Sequence, residues 1–308
     1  MTLYIRFNLK KLKRLGASKL FKQIEKNSFL KNNLTICNLP EEEFRKICFI
    51  VERFLILNIH FFFNIKKSLK DLINTNSNEA PYVIGVTGSI SSGKSTISKL
   101  IRFLLSVLLK KKVDIVNTDS FIYPNYFLEK MGIIHKKGFP VSYNIKKLMN
   151  FFYLIKSKNK RISVPIYSHL IYDIVPNRKK KIENLDILII EGLHILQNFQ
   201  IQYGKNRNFI LSDFIDFSIY IDAKERFLKR WYIDRFLDFC KISSNRKNIY
   251  SCKYSKMRKE DIIKEAKKFW DKINTVNLKK NILPIKDRAN LVITKEDNHI
   301  ITDIKLKK

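Results

Sequence analysis

The stretch PYVIGVTGSISSGKST, residues 81–96, decides how the rest of the chain reads. At its centre GSISSGKS, from Gly88 to Ser95, fits G-x-x-x-x-G-K-[ST] at every fixed position. Residues 82–86 before it are a β-branched apolar run. Residues 96–109 after it carry Ile97, Leu100, Ile101, Leu104, Leu105 and Leu108 at helical spacing. Strand, glycine loop, helix is the order that a polyphosphate needs. Glycines let the backbone wrap the phosphates, and N–H groups at a helix N-terminus turn toward the negative charge. Gly88, Ser89, Ile90, Ser91, Ser92, Gly93, Lys94 and Ser95 are therefore the expected triphosphate loop. Lys94 can reach the β- and γ-phosphates and the Ser95 hydroxyl can ligate Mg2+.

Two acids extend the reading. DILII at 186–190 is a continuous apolar strand that ends in Glu191-Gly192. An acid at the carboxyl end of a strand beside the loop can hold Mg2+ or its water shell, as a Walker-B acid does. Asp119 follows a strand expected over 113–116, so it lies at the same sheet edge. A carboxylate there can accept the proton of an attacking hydroxyl. With Ser120 next in line, Asp119 reads equally as a helix N-cap or turn aspartate, and spacing leaves both open.

Farther out, residues 80–222 alternate short apolar runs (82–86, 113–116, 186–190, 217–221) with longer helical patterns, the mark of βαβ units. Residues 223–288 read as mainly helical, with a Lys/Ser/Asn-rich insertion near 241–259, and a last strand falls at 290–294. Residues 1–79 read as helical. Acids at 41–43 open a helix after Pro40, apolar residues dominate through Phe63, and NTNSN at 74–78 is a polar connector. The expected architecture is an α/β domain over 80–308, with a mostly parallel central sheet flanked by helices, and a helical N-terminal extension over 1–79. On the helix expected after 223, Tyr232, Arg235, Phe236 and Phe239 share one face. An arginine buried on that aromatic face needs an anion, and a transferring phosphate would serve. The plainer reading is an aromatic core stripe with a snorkelling arginine.

Composition sets the outer bounds. With 8 Gly and 7 Pro in 308 residues, collagen-like and Pro/Gly-rich disordered classes are excluded. The 60 Lys and Arg against 28 Asp and Glu leave a net charge of +32. The lysines sit in runs all along the chain (110–112, 179–181, 305–308), within a composition crowded with Asn, Ile, Phe and Tyr. Such dispersed charge specifies no groove, and no nucleic-acid partner is expected. Cys37, Cys48, Cys240 and Cys252 lack CxxC spacing, which argues against a zinc knuckle, a redox motif or a disulfide framework and fits reduced thiols in the cytoplasm. The apolar run 48–63 carries Glu52, Arg53, Asn58 and His60. It falls short of the roughly 18 uncharged residues of a membrane span, so a buried helix and no membrane contact are expected. The first 31 residues are basic and poor in acid and read as a surface helix rather than a targeting stretch; no segment looks like a secretory signal.

These motifs stand in an order that resembles a known family, the bacterial type I pantothenate kinases, from Pro81 to Lys308. The pieces are PYVIGVTGSISSGKST (81–96), NTDSFIYPN (117–125), KKGFPVSYN (136–144), PIYSHLIYDIVP (165–176), ILIIEGLHILQ (187–197), SDFIDFSIYIDA (212–223), WYIDRFL (231–237) and NLKKNILPIKDRANLVITK (277–295). They separate the chain from related P-loop kinases of uridine or ribulose phosphate; residues 1–79 resemble the family only loosely. The resemblance implies ATP-dependent phosphorylation of pantothenate at its primary hydroxyl, the first step toward coenzyme A, with Mg2+ as cofactor. By position, Lys94 and Ser95 serve ATP and Mg2+, Asp119 matches the general base, Glu191 the metal-side acid and Arg235 a γ-phosphate contact. Tyr167, His169, Tyr172, Tyr232 and Asn274 match the pantothenate pocket. Lys99 and Lys137 match positions that receive coenzyme A as feedback inhibitor. The family also implies a homodimer.

The chain departs from the family at Ser91 and Ser92, where small apolar residues are usual, and at His135, where the family tends to have lysine. At Lys99 the family commonly has arginine, and the lysine keeps the charge but loses the bidentate fork. Two other functions compete: a hydroxyl kinase of the uridine kinase type on the same scaffold, and a basic P-loop protein that binds nucleic acid.

Overall fold

The computed structural model describes residues 3–7, 9, 39–74, 80–157, 161–198, 201–202, 208–244, 254 and 257–308. In chain order the elements are β1 (Tyr4–Phe7), α1 (Glu41–Ile73), β2 (Tyr82–Gly88), α2 (Lys94–Leu109), β3 (Val113–Asn117), α3 (Asn125–Lys130), α4 (Ile145–Lys156), β4 (Arg161–Ser168), β5 (Asp173–Glu183) and β6 (Ile187–Glu191). There follow β7 (Ile201–Gln202), β8 (Asn208–Phe209), β9 (Phe217–Ala223), α5 (Glu225–Ser244), α6 (259–282), β10 (Leu291–Lys295) and β11 (Ile301–Lys307).

Seven strands make the central sheet, in the order β1-β11-β10-β9-β2-β6-β3. From β10 to β3 every pairing is parallel, and β11 and β1 close the other edge antiparallel. Helices cover both faces, so β2 and β6 are buried at every residue. Period-two alternation sends Tyr82, Ile84, Val86, Ile187, Ile189, Ile219 and Ile221 into one core with α1 and α2. Val83, Leu188, Ile190, Tyr220 and Val292 enter the other, with α4, α5 and α6. The helical stripe Ile97, Leu100, Ile101, Leu104 and Leu105 of α2 is buried as its spacing predicts. Beside the sheet, β4 and β5 form an antiparallel hairpin whose register shifts between Pro165 and Tyr167.

The helix α1 begins at Glu41 with Pro40 as its N-cap, as expected. Its first half packs into the core, where buried Glu43 accepts the Ile301 N–H at 2.6 Å and pairs with Lys46 at 2.6 Å. Its second half differs from the buried helix expected over 48–63. Leu57 is 60% exposed and Phe61 67%, and Ile65, Leu69 and Leu72 follow on the open side. Over its 33 residues α1 is long and apolar enough to cross a membrane by length and composition, with 39% of its most apolar window buried.

Three further differences stand out. The N-terminal region is not helical throughout, because YIRF at Tyr4–Phe7 pairs with β11, and Tyr4 Oη donates to Ala289 O at 3.0 Å. The strand β11 and the β4–β5 hairpin also lie where no strand was expected. The expected surface helix over the first 31 residues falls mostly outside the described residues, as do Cys37, Cys252, most of the connector at 74–78 and most of the insertion near 241–259.

Candidate active site

All the parallel strands deliver their carboxyl ends to one sheet edge, where open α/β sheets bind ligands. The strand β2 ends at Gly88, whose φ is 137°; a Cβ there would stand 2.3 Å from Ile221 O of the neighbouring β9. Gly93 opens α2 at φ 86°. Lys94 turns back over the loop, and its Nζ donates to Ser89 O at 2.7 Å. The hydroxyls of Ser89, Ser91 and Ser92 are buried and have no hydrogen-bond partner among the described residues. Burial lowers the Lys94 pKa to about 8; Glu191 and Asp119 oppose the shift and Arg235 adds to it. These three charges therefore act on the ammonium together.

Glu191 ends β6 between β2 and β3, level with Val86 and Asn117. Its Oε1 accepts the Ser95 hydroxyl at 2.5 Å. Burial raises its pKa, opposed by Lys94 and the Ser95 bond. Asp119 lies in a 3-10 turn, Thr118–Phe121, just past β3. The turn's N-cap is Asn117, whose Oδ1 accepts the Asp119 N–H at 2.8 Å. The capping role that competed for Asp119 thus belongs to Asn117, while Asp119 is a turn aspartate, as the other half of that reading has it. The Asp119 carboxylate instead accepts the Tyr143 hydroxyl at 3.2 Å.

The hairpin turn between β4 and β5 brings the aromatic residues. Tyr167 meets His169 edge-to-face with ring centroids 5.3 Å apart, and Tyr172 lies 6.5 Å from Tyr167. Tyr172 adopts φ 53°, left-handed and strained for a residue with a Cβ. Lys137 joins this cluster rather than standing apart from it. Its Nζ lies 4.4 Å from the Tyr172 ring centroid and 5.2 Å from that of Tyr167, and donates to Asn125 Oδ1 and Tyr172 O. Burial lowers its pKa to about 8, against Asp173 and Asp119. The His169 pKa is also lowered by burial; Asp119 opposes that shift, and Arg235, Lys94 and Lys137 add to it. The hairpin turn and the phosphate loop therefore share one electrostatic environment.

Tyr232 packs against Phe236 and Trp270, with centroids 6.1 and 5.5 Å away. Trp270 and Asn274 bound the first of two π-type turns of α6, a helix irregularity frequent at functional sites. Arg235 is exposed on α5 and makes no ion pair or hydrogen bond among the described residues. The aromatic stripe is real, but the arginine is not buried within it. Lys99 is exposed one turn beyond Ser95 and near enough to oppose the Glu191 shift.

Sequence reasoning missed several residues. Tyr143, Asn125 and His194 lie within segments whose order was recognised, yet nothing in their spacing marked them. Lys295 ends β10 with its Nζ against the loop, where a Cβ on Gly93 would meet it at 2.8 Å. Burial lowers its pKa to about 8, opposed by Glu43.

A glycine loop at the end of a parallel strand, followed by a helix and flanked by carboxylates, defines a P-loop kinase. The model of the phosphoribulokinase/uridine kinase family matches residues 83–238, and the chain belongs to that family. Within it the relatives are specific. The chain is 42% identical over 256 residues to the pantothenate kinase of Histophilus somni (strain 2336), covering 82% of this chain and 80% of that one. To the pantothenate kinase of Photorhabdus laumondii it is 43% identical over 256 residues, covering 82% and 81%. At that identity and coverage it belongs with the pantothenate kinases. Among solved structures, D-glycerate 3-kinase from Cryptococcus neoformans superposes with a TM-score of 0.51 at 13% identity, covering 80% of this chain and 98% of that one; the two share a fold.

Proposed function

We propose that the protein transfers the γ-phosphoryl group of ATP to the primary hydroxyl of pantothenate, giving 4'-phosphopantothenate and ADP. The observation that carries this reading is the meeting, at one sheet edge, of a lysine-bearing phosphate loop, a carboxylate whose capping role is taken by another residue, and a cluster of hairpin aromatic rings around a cation. Pantothenate offers a carboxylate, an amide and hydroxyls, which suit Lys137, His169 and Asn274 among the rings of Tyr167, Tyr172 and Tyr232.

In this reading Asp119 takes the proton of the hydroxyl, whose oxygen bonds to the γ-phosphorus as the bond to the β-phosphate oxygen breaks. Lys94 and the loop N–H groups hold the phosphates in place, and Arg235, free of ion pairs among the described residues, faces the charge that develops. The oxygens of Ser95 and Glu191, 2.5 Å apart, are the hard donors that suit Mg2+. Among the described residues no three His, Cys, Asp or Glu side chains could hold a metal together, so Ser95 and Glu191 are the residues that would hold the ion. Mg2+ held there would supply neutralisation of charge on the phosphate oxygens.

Coenzyme A feedback through Lys99 and Lys137, a homodimer, a cytoplasmic location and the division into 1–79 and 80–308 rest on the family resemblance and the sequence pattern. The reaction is tested by incubating the protein with Mg-ATP and pantothenate and locating the new ester by phosphorus NMR and mass spectrometry. A monoester on the primary hydroxyl is expected. Phosphorylation at the secondary hydroxyl, or no ester at all, would overturn the reading.

A further inference from the structure

We propose that Tyr143 is the positioning residue for the base: its hydroxyl holds the Asp119 carboxylate in the orientation that takes the substrate's proton. The inference rests on the reading of Asp119 as that base. The phenol donates to this carboxylate, at 3.2 Å to Oδ1. An aspartate's terminal torsion has broad, roughly two-fold wells, so an unheld carboxylate would swing. One donor on one oxygen fixes the plane and leaves acceptor capacity for the incoming hydroxyl.

The chain around Tyr143 is built to hold the phenol still. Tyr143 is 5% exposed. Its backbone forms an antiparallel bridge with Ile122, just past the turn that bears Asp119. On either side Tyr123 N donates to Ser142 O at 2.9 Å and Asn144 N to Phe121 O at 2.7 Å, so the two segments are laced together. The ring meets the His194 imidazole edge-on, with centroids 5.5 Å apart. His194 is itself fixed, since its Nε2 donates to Gly138 O at 2.7 Å, and Asn277 Nδ2 donates to the same carbonyl at 2.9 Å. Burial holds the His194 pKa down at about 4, so the ring is neutral and brings no charge to compete for Asp119. Burial and the nearby Asp119 charge keep the Tyr143 phenol well above its ordinary pKa, so it remains a donor.

A merely structural tyrosine would be replaced by phenylalanine at little cost to catalysis. The proposal instead expects Tyr143→Phe to keep the melting temperature and the KM for ATP while kcat falls about 10- to 100-fold, the scale of a misplaced catalytic group. In an Asp119→Asn background the same change should cost nothing further, because the group it positions is gone. A kcat within twofold of the parent while Asp119→Asn is crippled would overturn the proposal and spare the base. An equal loss in both backgrounds would overturn it too. An Asp119→Asn protein as active as the parent would remove the base itself, and the proposal with it. Should Tyr143→Phe not fold, Tyr143→His, which keeps a ring and a donor, should retain more kcat than Tyr143→Leu; the reverse order would overturn the proposal.

Discussion

At the scale of single residues, Lys137 carries a pH dependence. Burial among the tyrosine rings lowers its pKa to about 8, although Asp173 and Asp119 pull the other way. It is protonated below that pH and neutral above it, whereas the pantothenate carboxylate stays ionised throughout. The attraction is therefore present at pH 7 and lost as pH rises through 8. The KM for pantothenate should climb several-fold between pH 7 and 9, and Lys137→Gln should start high and stay flat; saturation curves at three pH values decide it. A KM that does not move would take Lys137 out of the pocket. Asp119→Asn should leave ATP binding near normal and reduce kcat by about 10²–10⁴-fold, the general-base range. Binding measured by calorimetry beside steady-state rates separates the two effects, and an unchanged kcat would remove Asp119 from the chemistry.

At the scale of elements, the glycine loop depends on a close approach between β2 and β9. Gly88→Ala would put a methyl group 2.3 Å from Ile221 O, a backbone atom that cannot swing aside, in a conformation that L residues avoid. Overpacking and the positive φ together should cost about 2–4 kcal/mol, read as a lower midpoint in urea with nucleotide absent. The same element explains what could be read in advance. The strands β2, β6 and β9 are buried on both faces over most of their length and so appear as nearly continuous apolar runs. The β5 strand, DIVPNRKKKIE, is mostly exposed and looks like a charged loop. The four-residue β1 exists only because β11, some three hundred residues away, offers it an edge. Loop and carboxylates were legible because their chemistry demands fixed residue types at fixed spacing. Tyr143 was not, because its role depends on a fold that brings it against a turn 24 residues away.

At the scale of the whole molecule, α1 is bound to the kinase sheet by apolar packing and by a buried carboxylate. Glu43 satisfies the Ile301 N–H of β11 and the Lys46 ammonium together. Glu43→Ala would leave the buried Ile301 N–H without its acceptor, at about 1–3 kcal/mol, while the Lys46 ammonium would keep Ile301 O at 2.8 Å and the Glu42 carboxylate at 3.9 Å. Urea unfolding should show that loss, and a midpoint equal to the parent's would mean that the apolar packing of Phe44, Ile47 and Val51 suffices alone. The net charge of +32 stands apart from these contacts. Most of the ion pairs among the described residues are exposed at one or both partners, and such pairs contribute little to stability.

The central claim is that one sheet edge both grips a triphosphate and receives pantothenate. The most direct measurement is ADP release from Mg-ATP by the purified chain with pantothenate, uridine or ribulose 5-phosphate offered separately. Release that depends on pantothenate and is at background with the other two is the predicted result. Turnover driven by uridine or ribulose 5-phosphate, with pantothenate inert, would contradict the account.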